Sequence, residues 1–263
     1  LDLVRYINGK GMVTCISTNG ILLNNKIIIH LANNPLIHIQ VSLDGASPES
    51  NDRIRGGGTF EKILSGIRLL ATNGIPFSIN TVVTSLNFQE LDRIQALAKD
   101  LGGELRISRF RPSGRAQSSW NLLKLNKIQL ETLSEWLYEH PGVLTGDSFF
   151  SVTGNERREL GLDLCGACKM TCCIDPCGSV YPCAFLQSES FWSGNLRMIP
   201  FKKIWNESPV FIRLRRLEPD SCKNCPRFNA CHGGCPAVAF YINNTLNSAD
   251  PECIASWKSN TLI

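Results

Sequence analysis

Four cysteines occur within fourteen residues of this 263-residue chain, in the stretch CKNCPRFNACHGGC from Cys222 to Cys235. Their spacing is C-x2-C-x5-C-x3-C. The chain has twelve cysteines in all, and eleven of them follow residue 164. This much thiol in one region could form disulfides, bind zinc or hold iron–sulfur clusters.

The three chemistries place different demands on the compartment and on the residues. Disulfides need an oxidising compartment, and the opening LDLVRYINGK has neither the charged start nor the apolar core of a signal peptide. We therefore do not expect a disulfide framework. Zinc and [4Fe–4S] clusters both accept four cysteine thiolates, so spacing alone leaves the two open. Gly233 and Gly234 favour a cluster, because glycines let the backbone approach a bulky ligand.

Composition and charge argue against two classes of partner. The chain is 43% hydrophobic and 19% charged, which is enough for a sizeable core. A net charge of +4 is too small to predict nucleic-acid binding. No apolar run reaches the length of a membrane span. We therefore expect no nucleic acid, no membrane and a cytoplasmic location.

The cysteine-poor first part of the chain alternates predicted strands and helices. LIHIQVSLDG has period-two alternation, and strands are also predicted in MVTCISTNG, IPFSINTVVT and ELRISRF. Helices are predicted in LDLVRYINGKG, LLNNKIIIHLANN, TFEKILSGIRLLATNG and NFQELDRIQALAKDLGG. In the last of these, Asn87 and Glu90 take capping-box positions. The order βαβαβαβ predicts an α/β fold with a parallel sheet, open or closed into a barrel.

Polar residues stand where the predicted strands end. They are Ser17, Thr18, Asn19, Ser42, Asp44, Asn80, Thr81, Arg109 and Arg111. Each could be a turn or cap residue, but together they predict a pocket at the carboxyl edge of the sheet. RIRGGGTF lacks P-loop spacing and is expected to be a flexible loop, from which Arg53 or Arg55 reaches a carboxylate or phosphate. Cys15, inside a strand, is expected to be a core residue.

The second part begins after a stretch that joins it to the sheet. NKIQLETLSEWLYEH is predicted to be a helix, and LTGDSFFSVTG, which contains Asp147, to be strand and turn. CCIDPCGSVYPC is predicted to form a hairpin that brings Cys172 or Cys173 opposite Cys183. Its turn residues are Asp175, Pro176 and Gly178.

The whole cysteine pattern resembles the SPASM domain of radical SAM peptide-modifying enzymes. It runs Cys165-x12-Gly178-x4-Cys183, then Cys222-x2-Cys225-x5-Cys231-x3-Cys235, and then Cys253. STNG, VSLDG, NDRIRGGGTF and GIPFSINTVVT resemble successive pieces of the radical SAM partial barrel. RFRPSGRA, LTGDSFF, LDLCGA, IDPCGSVYPCAF, SGNLR and GGCPAVAFY resemble mycofactocin-forming members of the family. The resemblance spans essentially the whole chain. It implies a partial β/α barrel at residues 1–125, a connector at 126–164 and a SPASM domain at 165–263.

The resemblance implies two auxiliary [4Fe–4S] clusters in the second region. The first is expected on Cys165, Cys172, Cys183 and Cys235. The second is expected on Cys222, Cys225, Cys231 and Cys253. Cys168, Cys173 and Cys177 are then expected to be spare, with packing or turn roles, although Cys168 or Cys173 could take the place of Cys172.

The resemblance also implies S-adenosylmethionine as a cofactor at the strand ends. Ser42 and Asp44 are candidates for its ribose, Asn80 for its polar edge and Arg55 for its carboxylate. The C-x3-C-x2-C motif that holds a third, SAM-cleaving [4Fe–4S] cluster in the family does not occur in this sequence. We therefore expect the chain to be a fragment of a longer enzyme, and to be inactive by itself.

The family generates a 5′-deoxyadenosyl radical that abstracts hydrogen from a peptide. Its mycofactocin-type members oxidatively decarboxylate a C-terminal tyrosine and crosslink it to the preceding valine. The implied partners are the precursor peptide, its small peptide-binding chaperone and a reductant such as flavodoxin or ferredoxin. Some relatives use an aspartate base after the cysteine that matches Cys183, but Ala184 stands there, so Asp147 is the acidic residue that we take as the catalytic candidate instead.

Two other functions fit the same residues. A non-catalytic iron–sulfur module for electron transfer or peptide binding would use the same cysteines, and C-x3-C-x2-C in upstream coding sequence would argue for the enzyme instead. A zinc-binding structural protein is the other alternative, and the metal itself distinguishes it.

Overall fold

The computed structural model of the chain describes residues 1–145, 165–226 and 228–253. Contacts divide these residues into two units. The first unit contains residues 1–110 and 122–145, and the second contains residues 111–121 together with the described residues from 165 onwards. Among the described residues, no helix combines the length and the apolar character needed to span a membrane.

The first unit is built on a parallel sheet of five strands in the order β1-β2-β3-β4-β5. The strands are β1 Thr14–Thr18, β2 Ile37–Ser42, β3 Phe77–Val83, β4 Glu104–Arg109 and β5 Leu144–Thr145. The helices are α1 Asp2–Gly9, α2 Asn25–Ala32, α3 Pro48–Arg55, α4 Thr59–Thr72, α5 Leu91–Asp100, α6 Ala116–Leu123, which runs on from the second unit, and α7 Lys127–Glu139. The predicted α/β fold with a parallel sheet is thus confirmed.

The two faces of this sheet differ in chemistry because successive side chains of a strand point to opposite sides. One face is apolar and fully buried, and it includes Ile39, Val41, Ile79 and Ile107. The apolar stripes of the surrounding helices are equally buried and include Ile63, Ile67, Leu70 and Ile94. The other face is polar: His38 Nε2 lies 3.0 Å from Ser78 Oγ, and Ser108 donates to Asn80 Oδ1 at 2.8 Å. The unit therefore places its core on one side of the sheet and polar groups on the other.

Three expectations for this unit are wrong. Cys15 is exposed, because it lies on the polar face of β1. Arg53 and Arg55 do not lie in a loop but close helix α3, whose start is fixed by a capping box between Ser47 and Ser50. The capping box expected at residues 87–90 does not form either. A 3-10 turn precedes α5, and no side chain caps that helix.

The second unit consists of short elements joined by turns. Its strands are β6 Cys173–Ile174 and β7 Val180–Tyr181, and its helices are α8 Phe201–Glu207, α9 Pro209–Arg215, α10 Phe228–Cys231 and α11 Pro236–Asn243. Buried aliphatic and aromatic side chains such as Val180, Leu186, Phe211 and Val238 form its core. With so little regular structure, this unit depends on tight turns and on its cysteines to hold its segments together.

Candidate metal centres and strand-end site

A β-hairpin lies between the first cysteines of the second unit and Cys183. β6 and β7 pair antiparallel, with Cys173 opposite Tyr181. Cys173 therefore does not face Cys183, which stands two residues further along, so that part of the predicted pairing is wrong. Asp175 Oδ1 accepts hydrogen bonds from two amides of the turn at 2.9 and 2.8 Å, and this holds the hairpin closed.

Four thiols from distant parts of the sequence interact in this unit, and we call them the first cysteine group: Cys165, Cys168, Cys183 and Cys235. Burial raises the pKa of Cys165 to about 12, and the charges of Cys235 and Cys183 add to the rise. Burial and the Cys235 charge likewise raise the pKa of Cys183. Because thiolates that repel one another must be close in space, three of the predicted ligands of the first cluster lie together.

Cys168 is coupled to two members of this group, Cys165 and Cys183. Its side chain is fully buried. Burial raises the pKa of Cys168 to about 12, with the Cys183 and Cys165 charges adding to the rise and the Arg215 charge opposing it. The backbone of Cys168 is left-handed, with φ at 61°. That conformation costs about 1–2 kcal/mol for a residue with a side chain, and strain of this kind concentrates at functional positions.

Cys172, the ligand that the sequence analysis favoured, lies differently. Burial and the neighbouring Cys173 charge raise its pKa. Cys172 also acts on Cys168. Cys168, in contrast, is coupled to both Cys165 and Cys183. This coupling favours Cys168 as the fourth member of the first group, and the choice between Cys168 and Cys172 stays a prediction.

A second cysteine group consists of Cys222, Cys225, Cys231 and Cys253. Burial raises the pKa of Cys222, and the charges of the other three members add to the rise. Burial also raises the pKa of Cys231, together with Cys253, Cys225 and the Asp250 carboxylate. All four thiols that the sequence analysis assigned to the second cluster are thus near one another.

Left-handed backbone shapes the loop between Cys231 and Cys235. Gly233 has φ at 84° and Gly234 has φ at 90°, which residues with side chains rarely adopt. A Cβ atom on Gly234 would lie 2.3 Å from Asp250 Cβ. Both glycines are therefore needed for the loop to fold against its neighbours.

Asp250 ties this loop to the last cysteine. Its side chain is buried, and Oδ2 accepts a hydrogen bond from the Cys235 amide at 2.9 Å. Its amide donates to the Gly233 carbonyl at 2.9 Å, and its carbonyl accepts from the Cys253 amide at 2.9 Å. One buried aspartate therefore sets the position of Cys235 in the first group and of Cys253 in the second.

The donor chemistry of both groups fits iron–sulfur clusters. Every donor is a thiol, and burial raises the pKa of Cys165, Cys168 and Cys183 in the first group and of Cys222 and Cys231 in the second, so a bound cation would be needed to hold these five as thiolates. Among the described residues, no three His, Cys, Asp or Glu side chains are placed to hold a single bare metal ion.

The carboxyl ends of β2 and β3 carry a buried ion pair. Asp44 Oδ2 lies 2.8 Å from an Arg55 Nη2 atom, and Asp44 Oδ1 accepts from the Val82 amide at 2.8 Å. Asn87 Nδ2 donates to the backbone carbonyls of Asp44 and Val82 at 3.0 and 2.9 Å. Both Asp44 oxygens are thus occupied, which favours a role in holding Arg55; contact of Asp44 with a ribose stays a prediction.

Ser42 and Asn80 stand side by side at the same strand ends, as register partners of β2 and β3. Asn80 is buried and Ser42 is half-buried. Arg55 Nε is buried without a hydrogen-bond partner among the described residues. The structure therefore gathers the four predicted cofactor-binding residues at one edge of the sheet, and a buried donor is still unsatisfied there.

Asp147, the predicted catalytic residue, lies outside the described residues. Sequence reasoning also missed two residues that position the sites. Asn87 was predicted only to cap a helix, but its side-chain amide bonds the backbone at the ends of β2 and β3. Arg215 has no local signal, because it acts on Cys168 across 47 residues.

Two family models match separate parts of the chain. Residues 1–98 match the radical SAM superfamily, and residues 165–226 match the SPASM domain, an iron-sulfur cluster-binding domain. Over 269 residues the chain is 38% identical to mycofactocin maturase MftC of Mycolicibacterium smegmatis, covering 99% of this chain and 68% of that protein. It is 29% identical over 277 residues to the AdoMet-dependent heme synthase of Methanosarcina barkeri, covering 96% of this chain and 77% of the synthase.

A solved structure has a similar fold. Native anSMEcpe with bound AdoMet and Kp18Cys peptide aligns with a TM-score of 0.72 at 22% identity. The alignment covers 98% of this chain and 75% of that one. At this identity the likeness shows the fold alone.

Proposed function

This chain belongs to the radical SAM family of enzymes that carry a SPASM domain, and we propose that it matures a ribosomally made precursor peptide of the mycofactocin type. The reaction is the oxidative decarboxylation of a C-terminal tyrosine and its crosslinking to the preceding valine. Identity of 38% to a mycofactocin maturase over nearly the whole chain supports this choice within the family. The proposal retains a barrel at residues 1–125, a connector at 126–164 and a SPASM domain at 165–263.

The observation that carries the proposal is the pair of thiol groups in the second unit. Eight cysteines from four separate stretches of sequence form two groups of four. Four thiolates are what a [4Fe–4S] cluster needs. We assign Cys165, Cys168, Cys183 and Cys235 to one auxiliary cluster, and Cys222, Cys225, Cys231 and Cys253 to the other. The strained backbone of Cys168 and its electrostatic coupling to Cys165 and Cys183 support its place in the first set.

The strand-end site is assigned to S-adenosylmethionine. Arg55 would bind its carboxylate, Asp44 would hold Arg55 in place, and Ser42 and Asn80 would contact its ribose and polar edge. The ion pair of 2.8 Å and the unsatisfied Arg55 Nε support this division of roles. A guanidinium that is held on one side by Asp44 is already oriented when the anion arrives, so less entropy is lost on binding.

When bound, the clusters and S-adenosylmethionine supply the one-electron chemistry, and the chain supplies position and charge. Asp147 is the proposed proton acceptor near the peptide. The precursor peptide, its small peptide-binding chaperone and a reductant such as flavodoxin or ferredoxin are the proposed partners. A cytoplasmic location is part of the proposal, because thiolate clusters need a reducing compartment.

Metal analysis tests the cluster assignment. The chain, purified without oxygen, is expected to hold about eight iron and about eight sulfide, because each of two [4Fe–4S] clusters contains four of both. Iron, sulfide and zinc per chain are measured together, with an absorption spectrum. Roughly two zinc and no sulfide would contradict the proposal and leave two closed structural sites of four cysteines each.

Peptide binding tests the substrate. A synthetic peptide ending in Val-Tyr is expected to bind the iron-loaded chain about tenfold more tightly than the same peptide with a C-terminal amide. The reason is that a hydrogen bond to a charged group contributes about 1.5–3 kcal/mol. Fluorescence anisotropy with a labelled peptide measures both affinities. Equal affinities would contradict recognition of the C-terminal tyrosine carboxylate.

A further inference from the structure

Arg215, the last residue of α9, reaches across the second unit to the first cysteine group. Its Nε donates a hydrogen bond to the Cys168 carbonyl at 2.6 Å. The guanidinium also lies over two aromatic rings, 5.0 Å from the centre of Trp205 and 5.7 Å from that of Phe211. Stacking on rings and a short hydrogen bond fix a planar guanidinium in one orientation. Arg215 is thus a positive charge held beside Cys168.

One nitrogen of this guanidinium has no acceptor in the part of the chain that the structure describes. Nη2 of Arg215 is buried and makes no hydrogen bond to the described residues. A buried charged donor without a partner is costly, so its presence calls for an explanation. The side chain that carries this donor bonds the Cys168 carbonyl, and the Cys168 thiol is electrostatically coupled to Cys165 and Cys183. Sulfur held by the first cysteine group is an acceptor that would satisfy it.

A second arginine acts on the same group. The Arg111 guanidinium is 4.3 Å from the centre of the Phe185 ring, two residues after Cys183. Its charge acts on Cys183. The Asp250 carboxylate is shared by the two groups, because it acts on Cys231 of the second and accepts a hydrogen bond from the Cys235 amide of the first. What sets the first group apart is its two arginines, Arg215 and Arg111, whose charges act on Cys168 and Cys183.

We propose that Arg215 is a positioning residue that holds the Cys168 loop and raises the reduction potential of the cluster on the first group above that of the second. This inference rests on the proposed function, because it requires that both groups hold clusters. A [4Fe–4S] cluster with four thiolates becomes more negative by one charge when it takes up an electron. A fixed cation stabilises the reduced form more than the oxidised form. Electrons shared between the two clusters would then rest on the first.

The test is a potentiometric titration of the full chain with dithionite as the electron donor, followed by electron paramagnetic resonance. Arg215→Gln is expected to lower the midpoint potential of the first-group cluster, while the second-group cluster stays at its wild-type value. Arg215→Lys keeps the charge and should restore most of the potential. Arg213→Gln, an exposed arginine on the same helix, is the matched control and should shift neither cluster. The variant Cys231→Ala identifies the first-group signal, because it retains only that cluster.

The outcomes separate the inference from the function on which it rests. Wild-type protein with two clusters, and no change of either potential in Arg215→Gln, would overturn the inference alone. An equal shift of both clusters would also overturn it. Wild-type protein without sulfide overturns the proposed function as well. If Arg215→Gln loses its first-group iron, Arg215→Lys is the deciding variant. Iron retained at the wild-type potential supports the inference that the charge at this position sets the potential. Loss of iron overturns that inference.

Discussion

Replacing Cys168 with alanine is expected to remove about half of the iron that the chain binds, because one of two [4Fe–4S] clusters would lose a thiolate. The thiol is fully buried, and burial together with the charges of Cys183 and Cys165 raises its pKa. The backbone of Cys168 is left-handed, which is costly for a residue other than glycine. Binding of a cluster by its thiolate would account for keeping a cysteine in this conformation. Iron and sulfide analysis of oxygen-free protein measures the loss, and electron paramagnetic resonance shows which cluster is missing.

Cys172→Ala is the matched comparison for this prediction. Cys172 is four residues away and is electrostatically coupled to Cys168 and Cys173. It should keep the full iron content, as should Cys177→Ala, which removes an exposed thiol. The reverse pattern, with iron lost in Cys172→Ala and kept in Cys168→Ala, would assign the fourth ligand to Cys172. Cys168→Ser preserves the size of the side chain, and an unchanged second-group signal shows that the variant has folded.

The second cysteine group could be read from sequence almost completely, and the first only in part. Cys222, Cys225 and Cys231 are close along the chain, so their spacing already brings them together. The first group joins residues up to 70 positions apart, from Cys165 to Cys235, and depends on which way each turn faces. The left-handed Cys168 has no signature in the letters CGACKMTCC. The family resemblance therefore implied Cys165, Cys183 and Cys235 with Cys172 as the fourth ligand, and the coupling of Cys168 to Cys165 and Cys183 in the folded chain is what favours Cys168.

The sheet shows the same limit. Alternation of apolar and polar residues predicted β2, and helical spacing predicted α4, because local pattern decides both. Helix α3 was missed because PESNDRIR has a single aliphatic residue, Ile54, and no apolar stripe. Cys15 was expected in the core because it lies inside a strand. It shares one face of β1 with Ser17, and both residues are exposed. The polar Ser17 was therefore the signal in the sequence for a polar face.

Asn87 shows how a tertiary contact overrides a correct local pattern. It stands three residues before Glu90, as a capping box requires. In the folded chain its amide instead donates to the backbone carbonyls of Asp44 and Val82. Glu90 accepts a hydrogen bond from Ser50 at 2.7 Å. Both side chains thus bond to α3 or to the strand ends. A hydrogen bond in these buried surroundings contributes more to stability than one at an exposed helix start.

Replacing Asp44 with alanine is expected to lower the free energy of unfolding of the chain by about 3–5 kcal/mol, because it leaves the Arg55 guanidinium buried without its counter-charge. The Asp44 and Arg55 side chains are only 5% and 19% exposed, so water replaces the lost partner of Arg55 only in part. Urea unfolding followed by far-UV circular dichroism measures the change. Arg53→Ala removes an exposed arginine from the same helix and should cost less than about 0.5 kcal/mol. Equal costs for the two variants would contradict the buried pair.

The pH dependence of stability gives a second test of the Asp44–Arg55 pair. Burial raises the pKa of Asp44 above 3.8, although the Arg55 charge and the Val82 amide oppose the rise. Because the folded pKa is the higher one, the unfolded chain releases its proton first, and stability falls as pH rises from the unfolded pKa through the folded one. Asp44→Asn removes this dependence, so the stability difference between wild type and variant should shrink as pH rises through that window. A difference that grows with pH would mean that the Arg55 charge lowers the pKa of Asp44 more than burial raises it. The charge of the ion pair, and not only the packing and hydrogen bonds of the Asp44 side chain, would then stabilise the strand ends.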